Sequence, residues 1–365
     1  QYVCRMLLGD CMETCKKMKK ILLYSPDTTD EKIFTRSVRD NANDPFIFLK
    51  DKLCSLGYEL KIAGDNSLEN CEWVVFMDSP FPPSNWRYKL KNFIKNKTIS
   101  RNLYKECLDK GMKDKMALFL WEGVSVKPNN YLKSVYDKFS IIFTWNDDLV
   151  DNKKFFKFYL PIPGDTGTHP KIPFNKRKLL INISRNKKSP HPRELYTARK
   201  KSIRYFNKNF LDDFDLYGVG WNKPISRMEK IFPWLVEKFS AYRGVIDNKI
   251  EKLPYYKFSL CYENLKGEKG YITDKIFDPM RSNTVPIYWG ASNITDYIPR
   301  DSFIDRRNFK SDKELVQFIE NINENEHNEH LKAIDAFLKS DKFRVFLPEN
   351  FADTIIKTLN LKNIL

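Results

Sequence analysis

The sequence predicts an α/β protein whose two doubly wound domains face each other across a cleft. Two series of short apolar segments alternate with helical patterns, and a strand followed by a helix, repeated, is typical of a parallel sheet. A stretch rich in breakers, with Pro161, Pro163, Gly164, Pro170 and Pro173, separates the two series. The length of 365 residues also fits two domains at about 150 residues each.

The first series predicts an N-terminal domain over residues 21–160, preceded by a poorly defined segment 1–20. Runs of apolar and β-branched residues predict its strands, and apolar residues at helical spacing predict its helices. The strands are expected at 21–24, 59–63, 73–77, 116–121 and 141–144, and the helices at 46–56, 88–95 and 99–110.

The second series follows a linker, 161–176, and predicts a C-terminal domain over residues 177–345. A final helical segment, 346–365, packs on this domain or crosses back to the first. Strands are expected at 179–184, 214–217, 258–262 and 285–289, and helices at 192–207, 274–282, 312–322, 327–340 and 350–359.

The charge of the chain favours anionic partners. Lys and Arg number 63 and Asp and Glu 47, a net charge of +16, which suits nucleotide diphosphates, acidic lipid head groups or nucleic acid. Seven Cys without a C-x-x-C pair and four His without further ligands nearby predict neither a disulfide framework nor a zinc site. No apolar run has the roughly 18 residues of a membrane span, so we expect a cytoplasmic protein, soluble or held peripherally at the inner face of a membrane.

The most informative segment begins with the buried strand 256–262, which delivers Glu263 and Asn264 at its carboxyl end. A mobile loop bounded by glycines then leads to a helix that Thr273 caps, with Lys275 in its first turn. A helix start with free N–H groups and a lysine is a favourable site for a diphosphate. The alternative is an ordinary strand, loop and helix of a parallel sheet.

Three parts of this segment, Tyr262-Glu263-Asn264, Tyr271-Ile272-Thr273-Asp274-Lys275 and Val285-Pro286-Ile287-Tyr288-Trp289-Gly290, occur in this order. They resemble the nucleotide-sugar segment of the alpha-1,3/1,4-fucosyltransferases, glycosyltransferase family ten. The resemblance implies the GT-B fold, two Rossmann-like domains with GDP on the second and the acceptor on the first. It also implies an inverting transfer of fucose from GDP-fucose to a glycan hydroxyl, alpha-1,3 or alpha-1,4 to N-acetylglucosamine or glucose, without a required metal or other cofactor.

The same resemblance assigns roles to individual residues. It implies that Asn264 and Tyr271 line the GDP-fucose site and that Lys275 contacts phosphate. Asp274 stands where the family has a glutamate that holds the ribose, which shortens that arm by one methylene. Glu263 matches the glutamate of the family's Phe-Glu-Asn motif, in which a tyrosine here replaces the phenylalanine.

The family also places an arginine on the helix after the first strand of the second domain, where it neutralises the leaving diphosphate. Spacing favours Arg199 for this role, with Arg204 next and Arg193 as a third candidate. The alternative is that these bases form a solvated helix face. A phosphate site fits their summed charge better.

A transfer with inversion needs a base that accepts the proton of the acceptor hydroxyl. The strand that ends in Glu122 resembles the family's first-domain strand that ends in the catalytic glutamate, although Gly123-Val124-Ser125 replaces the usual continuation. Burial at a cleft edge would raise the pKa of such a carboxyl toward neutrality. Asp78, at the end of strand 73–77, is the first replacement if Glu122 is an ordinary loop carboxylate.

Two other functions compete with this reading. A metal-dependent transferase using another nucleotide sugar would need an Asp-x-Asp, a spacing that Asp213 and Asp215 have, at the wrong end of their strand. A basic nucleic-acid-binding protein would need exposed aromatics, whereas most here lie in apolar runs. We therefore expect an oligosaccharide or glycolipid acceptor and no nucleic acid, with Trp86 and Tyr88 as candidates for sugar stacking.

Overall fold

A computed structural model describes residues 18–25, 31–36, 41–81, 101–164 and 170–364. The predicted helix 88–95 and the sugar-stacking candidates Trp86 and Tyr88 lie outside these ranges, as does most of segment 1–20. Among the described residues, no helix combines the length and the apolar character needed to cross a bilayer.

The first domain is a six-stranded sheet in the order β2-β1-β3-β4-β5-β6, and all its strand pairs are parallel. Every residue of β4 is buried, as a strand covered on both faces requires. The edge strand β6 was not predicted, because three half-buried residues are too few to show a period. The described elements are β1 (Lys19–Tyr24), α1 (Asp44–Cys54), β2 (Tyr58–Ile62), β3 (Cys71–Met77), α2 (Leu103–Asp109), β4 (Met116–Leu120), α3 (Lys133–Tyr136), β5 (Ile141–Thr144) and β6 (Phe155–Lys157).

The second domain is a five-stranded parallel sheet in the order β11-β10-β9-β7-β8. The described elements are β7 (Lys178–Ile183), α4 (Tyr196–Asn209), β8 (Phe214–Tyr217), α5 (Arg227–Ile231), α6 (Lys249–Lys252), β9 (Tyr256–Tyr262), α7 (Asp274–Arg281), β10 (Val285–Trp289), α8 (Ile294–Tyr297), β11 (Ile304–Asp305), α9 (Asp312–Asn321), α10 (Glu324–Leu338) and α11 (Asp341–Arg344).

Helix α4 begins at Tyr196 and not at residue 192 as expected. The backbone before Tyr196 pairs with the loop after β9 instead of forming a helix. Glu194 forms a β-bridge with Leu265, and the amide of Leu195 donates to the carbonyl of Asn264 at 3.1 Å. The residues before Tyr196 therefore brace the loop that follows β9.

The last helix, α12 (Pro348–Thr358), lies against the first domain. Its buried face includes Phe351 and Ile355, which join the core beneath α1. The ring of Phe351 stands edge-on to that of Phe46, with centroids 5.8 Å apart. The chain therefore returns to the first domain after completing the second.

The loop between β9 and α7 is fixed against the first domain. Tyr271 is buried in the first domain's core, with its ring centroid 4.6 Å from that of Trp145. Lys269 of the loop donates to Asp148 at 2.7 Å, and its carbonyl accepts from the Asp147 amide at 3.3 Å. The expected mobile loop is thus an interdomain contact, and it brings the carboxyl ends of both sheets to one cleft.

Candidate functional site

Two adjoining cavities lie where the carboxyl ends of the two sheets meet. One, of about 330 Å³, belongs to the second domain and lies beside the ends of β7 and β9 and the start of α7. The other, of about 520 Å³, lies between the domains. We call them the second-domain pocket and the interdomain cleft. Both are lined by the same five residues, Lys249, Asn264, Asp274, Lys275 and Asp278.

Helix α7 presents its N-terminus to both cavities, and Glu263 holds it there. The Glu263 carboxylate is fully buried and accepts from the Thr273 amide at 2.9 Å, the Thr273 hydroxyl at 3.0 Å and the Lys275 ammonium at 3.1 Å. Burial raises the pKa of Glu263 against the opposing charge of Lys275. Glu263 lines neither cavity, and through these three hydrogen bonds it positions the start of α7 from behind the site.

The cap of α7 forms as predicted, because the Thr273 side chain accepts from the amide of Lys275. Thr273 and Tyr271 line the interdomain cleft, and Asn264, which donates to the Tyr271 hydroxyl at 3.3 Å, lines both cavities. Lys275 also donates to the Thr273 hydroxyl at 3.0 Å. These residues therefore form one continuous wall from pocket to cleft.

Asp274 is held by a lysine that was not among the residues selected from the sequence. Lys249, at the start of α6, donates to Asp274 at 2.7 Å and to Asp278 at 2.5 Å. Burial alone would raise the pKa of Asp274, but Lys249 and Lys275 outweigh it and keep this pKa well below its usual range. The carboxylate is therefore ionised and fixed, and it can act only as a hydrogen-bond acceptor.

Arg199 projects from α4 into the second-domain pocket and is 4% exposed. Its guanidinium donates to the Tyr262 carbonyl at 3.1 Å and lies 5.3 Å from the ring centroid of Tyr196. It has no carboxylate partner within the described part of the chain, and burial lowers its pKa. A buried guanidinium with one neutral acceptor is suited to an incoming anion.

The other two arginine candidates lie outside both cavities. Arg204, further along the same helix, pairs with Glu237 through two nitrogens at 2.6 and 2.8 Å. Arg193 pairs with Glu268 at 2.6 Å. The structure thus brings Arg199 to the pocket and leaves Arg204 and Arg193 in ion pairs. Arg204 lies on the exposed face of α4, and Arg193 precedes the start of that helix.

A glycine forms the far wall of the second-domain pocket, at the end of β8. Gly218 has φ +125°, a backbone conformation that side chains rarely adopt, and a Cβ there would clash with the carbonyl oxygen of Ser184. The close approach brings the ends of β7 and β8 together. Any larger residue would move this wall.

The first domain contributes two carboxylates to the cleft, Asp78 and Glu122. One oxygen of Asp78 accepts from the amides of Trp121 and Glu122, at 2.9 and 3.0 Å, and from Asn130 at 2.5 Å. The Glu122 carboxylate has no hydrogen-bond or ion-pair partner among the described residues. Burial and then the charge of Asp78 raise the pKa of Glu122, which is the environment expected of a general base.

In the Asp-x-Asp motif that was considered as a metal site, the carboxylate of Asp215 is already bound by other side chains of the protein. Asp215 is buried and accepts from Lys178 at 2.9 Å, Arg243 at 2.7 Å and the Tyr256 hydroxyl at 2.7 Å. These partners make it a structural residue of the second sheet. No group of three or more potential metal ligands occurs within the described ranges.

Three basic residues of the site were not selected from the sequence. Arg185 and Lys187 line the second-domain pocket just after β7, so their position after a strand's carboxyl end could have indicated them. Lys249 does not follow a strand, so the sequence contains no such signal for it. Only the folded chain brings it to Asp274.

Comparisons with known proteins agree with the resemblance of the segment from Tyr262 to Gly290. The model described as "Glycosyltransferase family 10 (fucosyltransferase) C-term" matches residues 176–332. An alpha-(1,3)-fucosyltransferase of Helicobacter pylori is 44% identical over 75 residues, which are 20% of this chain and 15% of that protein. An alpha-(1,4)-fucosyltransferase of Arabidopsis thaliana is 36% identical over 92 residues, 25% of this chain and 23% of that protein. These matches thus span less than a quarter of either relative.

The similarity in fold extends over more of the chain than the similarity in sequence. The crystal structure of an alpha1,3-fucosyltransferase covers 95% of this chain and 92% of its own, with a TM-score of 0.55 and 14% identity. At that identity the similarity concerns the fold, and it confirms the expected GT-B arrangement of two parallel-sheet domains.

Proposed function

We propose that this chain transfers fucose from GDP-fucose to a hydroxyl of a glycan acceptor, since residues 176–332 match the model of the family 10 fucosyltransferases. One observation carries the proposal. A pocket lined by Arg199, Lys249 and Lys275 joins a cleft that also contains Glu122, the carboxylate without a partner in the described chain. A cationic pocket beside a free base is what transfer from a nucleotide diphosphate sugar requires.

In this proposal, GDP occupies the second-domain pocket. Arg199 and Lys275 face the diphosphate, and their positive charges stabilise the negative charge that develops as GDP leaves. Asp274 accepts hydrogen bonds from the ribose hydroxyls, with Lys249 holding it in place. These fixed cations are the reason that we propose no metal requirement.

The acceptor occupies the interdomain cleft. Its hydroxyl oxygen bonds to the anomeric carbon of fucose, the bond from that carbon to the phosphate oxygen breaks, and Glu122 takes the hydroxyl proton. One displacement from the face opposite the leaving group inverts the anomeric configuration. The raised pKa of Glu122 makes it a better proton acceptor than an ordinary glutamate, provided the pH keeps it ionised.

We further propose an alpha-1,3 or alpha-1,4 linkage to N-acetylglucosamine or glucose of an oligosaccharide or glycolipid. The half-buried side chain of Trp121 lines the cleft and supports sugar binding there. Aromatic faces stack on the apolar faces of sugar rings.

A panel of sugar nucleotides tests the proposal. We expect GDP-fucose alone to be hydrolysed or consumed at a substantial rate, and GDP to raise the melting temperature, since a ligand stabilises the state that binds it. Transfer should persist in EDTA. Use of a UDP-sugar in preference to GDP-fucose, or stabilisation by DNA and not by GDP, would contradict the proposal, and loss of transfer in EDTA would contradict its metal independence.

A further inference from the structure

The segment 223–238 forms a surface with no core of its own. It contains α5 and a short 3-10 turn, Pro233–Leu235, and neither includes a buried residue. Its apolar side chains are exposed to unusual extents, which are 56% for Met228, 55% for Ile231, 76% for Trp234 and 51% for Leu235. Several large apolar side chains exposed within one short segment mark an interaction site.

These side chains are held together by local structure. Met228 and Ile231 are three residues apart on one helix and so share a face. The rings of Phe232 and Trp234 stand 5.2 Å apart. A capping box between Ser226 and Glu229 fixes the start of α5, so the 223–238 surface is a defined shape and not an unstructured loop.

The base of the 223–238 segment packs against the second domain. Val236 and Phe239 are buried, and the Phe239 amide donates to the Asn222 side chain at 2.7 Å. These contacts anchor the base of the segment and leave its apolar tip facing outward. The exposure is therefore built into the fold.

The charges around the apolar tip are positive. Lys223, Arg227 and Lys230 are exposed and have no carboxylate partner within the described chain. Both carboxylates of the segment are already engaged by bases from elsewhere, Glu229 by Lys188 and Glu237 by Lys200 and Arg204. The uncompensated charge complements an anionic surface.

We propose that the 223–238 surface docks the chain on a membrane that contains anionic lipids. Trp234, Ile231 and Leu235 enter the head-group boundary, and the surrounding bases contact anionic head groups. Interfacial membrane segments combine Trp and Leu with Lys and Arg in this way, and the unpaired bases around the tip match the negative charge of anionic head groups. The charge pattern therefore favours a lipid surface over a protein partner.

The docking surface lies next to the second-domain pocket. Val219 and Lys187 line that pocket, the carbonyl of Gly220 accepts from Asn186, and Lys188 pairs with Glu229. Docking would hold the pocket close to the membrane, where a glycolipid acceptor would be found. The docking itself does not depend on the proposed function, because its test has no catalytic readout.

Cosedimentation with vesicles tests the proposal on the full chain. We expect binding to vesicles of phosphatidylcholine and phosphatidylserine, weak binding to phosphatidylcholine alone, and a decline with added salt because salt screens charge. Trp234→Ser plus Ile231→Ser should weaken binding by about tenfold or more. Phe318→Ser, an exposed aromatic on α9, is the matched control and should leave binding unchanged.

Two further double variants distinguish binding through this surface from binding through the net charge of the whole chain. Arg227→Glu plus Lys230→Glu should weaken vesicle binding by about tenfold or more, and Lys313→Glu plus Lys342→Glu, with the same net charge, should not. Equal losses in both pairs, or no preference for anionic vesicles in the parent, would overturn the proposal. Unchanged vesicle binding by the Trp234 variant would do so too, and a parent dimer that this variant dissociates would identify a protein interface instead. A thermal transition like that of the parent establishes that each variant is folded.

Discussion

The two sides of the cleft are built in opposite ways. On the second domain, Glu263, Lys275 and Asp274 are each held by ion pairs or hydrogen bonds. On the first domain, Asp78 accepts from two main-chain amides and from Asn130, and the Glu122 carboxylate has no partner among the described residues. A side fixed by paired charges suits binding, whereas a carboxylate free of partners can take and release a proton.

The largest effect is expected from removing the proton acceptor. Glu122→Gln keeps the shape of the side chain but cannot accept the proton, so turnover should fall by about a hundred- to ten-thousandfold. Initial rates of fucose transfer measure this. If the variant retains more than about a tenth of the parent rate, which is less than the usual general-base penalty, another carboxylate is the base and Asp78 is tested next.

Arg199→Ala is expected to have the next largest effect. It removes a buried positive charge from the pocket, so turnover should fall by about a hundred- to thousandfold and GDP should bind more weakly. Arg204→Ala is the matched control, since that residue lies on the same helix but pairs with Glu237 at the surface. Equal losses in the two variants would mean that the helix, and not the pocket charge, is responsible.

A smaller, structural effect is expected from Glu263. Glu263→Ala leaves the Thr273 amide and the Lys275 ammonium without their acceptor, so the free energy of unfolding should fall by about 2 kcal/mol. GDP affinity should fall with it, because the N-terminus of α7 is no longer held. Glu263→Gln, which keeps the acceptor for Thr273, should lose less on both counts. Denaturant unfolding and GDP titration measure the two effects, and an unchanged GDP affinity in the alanine variant would contradict the positioning role.

The smallest effect is expected in the pH dependence. Glu122 must be ionised to accept a proton, so activity falls as acid protonates it, and its raised pKa places this fall at higher pH than for an ordinary glutamate. Asp78→Asn removes the neighbouring negative charge that contributes to the raised pKa, so the acid limb of the rate profile should move to lower pH. A profile that does not move would mean that burial alone sets this pKa.

Much of this site could be predicted from local sequence. The strand ending in Glu263 and Asn264 and the helix capped by Thr273 follow from runs and caps within a few residues of each other. Lys249 could not be found in this way, because its two partners come from a different helix. The contact of Tyr271 with Trp145 likewise joins two domains, and local periodicity contains no information about it.

The arginine candidates show the same limit. Arg199 and Arg204 lie on one helix, and spacing alone kept both as candidates. Their separation into a buried and an exposed residue depends on which face of α4 packs against the sheet. The helical period gives two faces, and only the folded domain decides between them.

The second domain is proposed to bind the nucleotide and the first domain to supply the base. Calorimetric titration of GDP into two variants tests this assignment. We expect Glu122→Gln to bind GDP as tightly as the parent, since this residue meets the acceptor and not the nucleotide. We expect Arg199→Ala to bind GDP at least about tenfold more weakly, since one charge-assisted contact is lost. Weakened binding by Glu122→Gln together with parental affinity in Arg199→Ala would contradict the account.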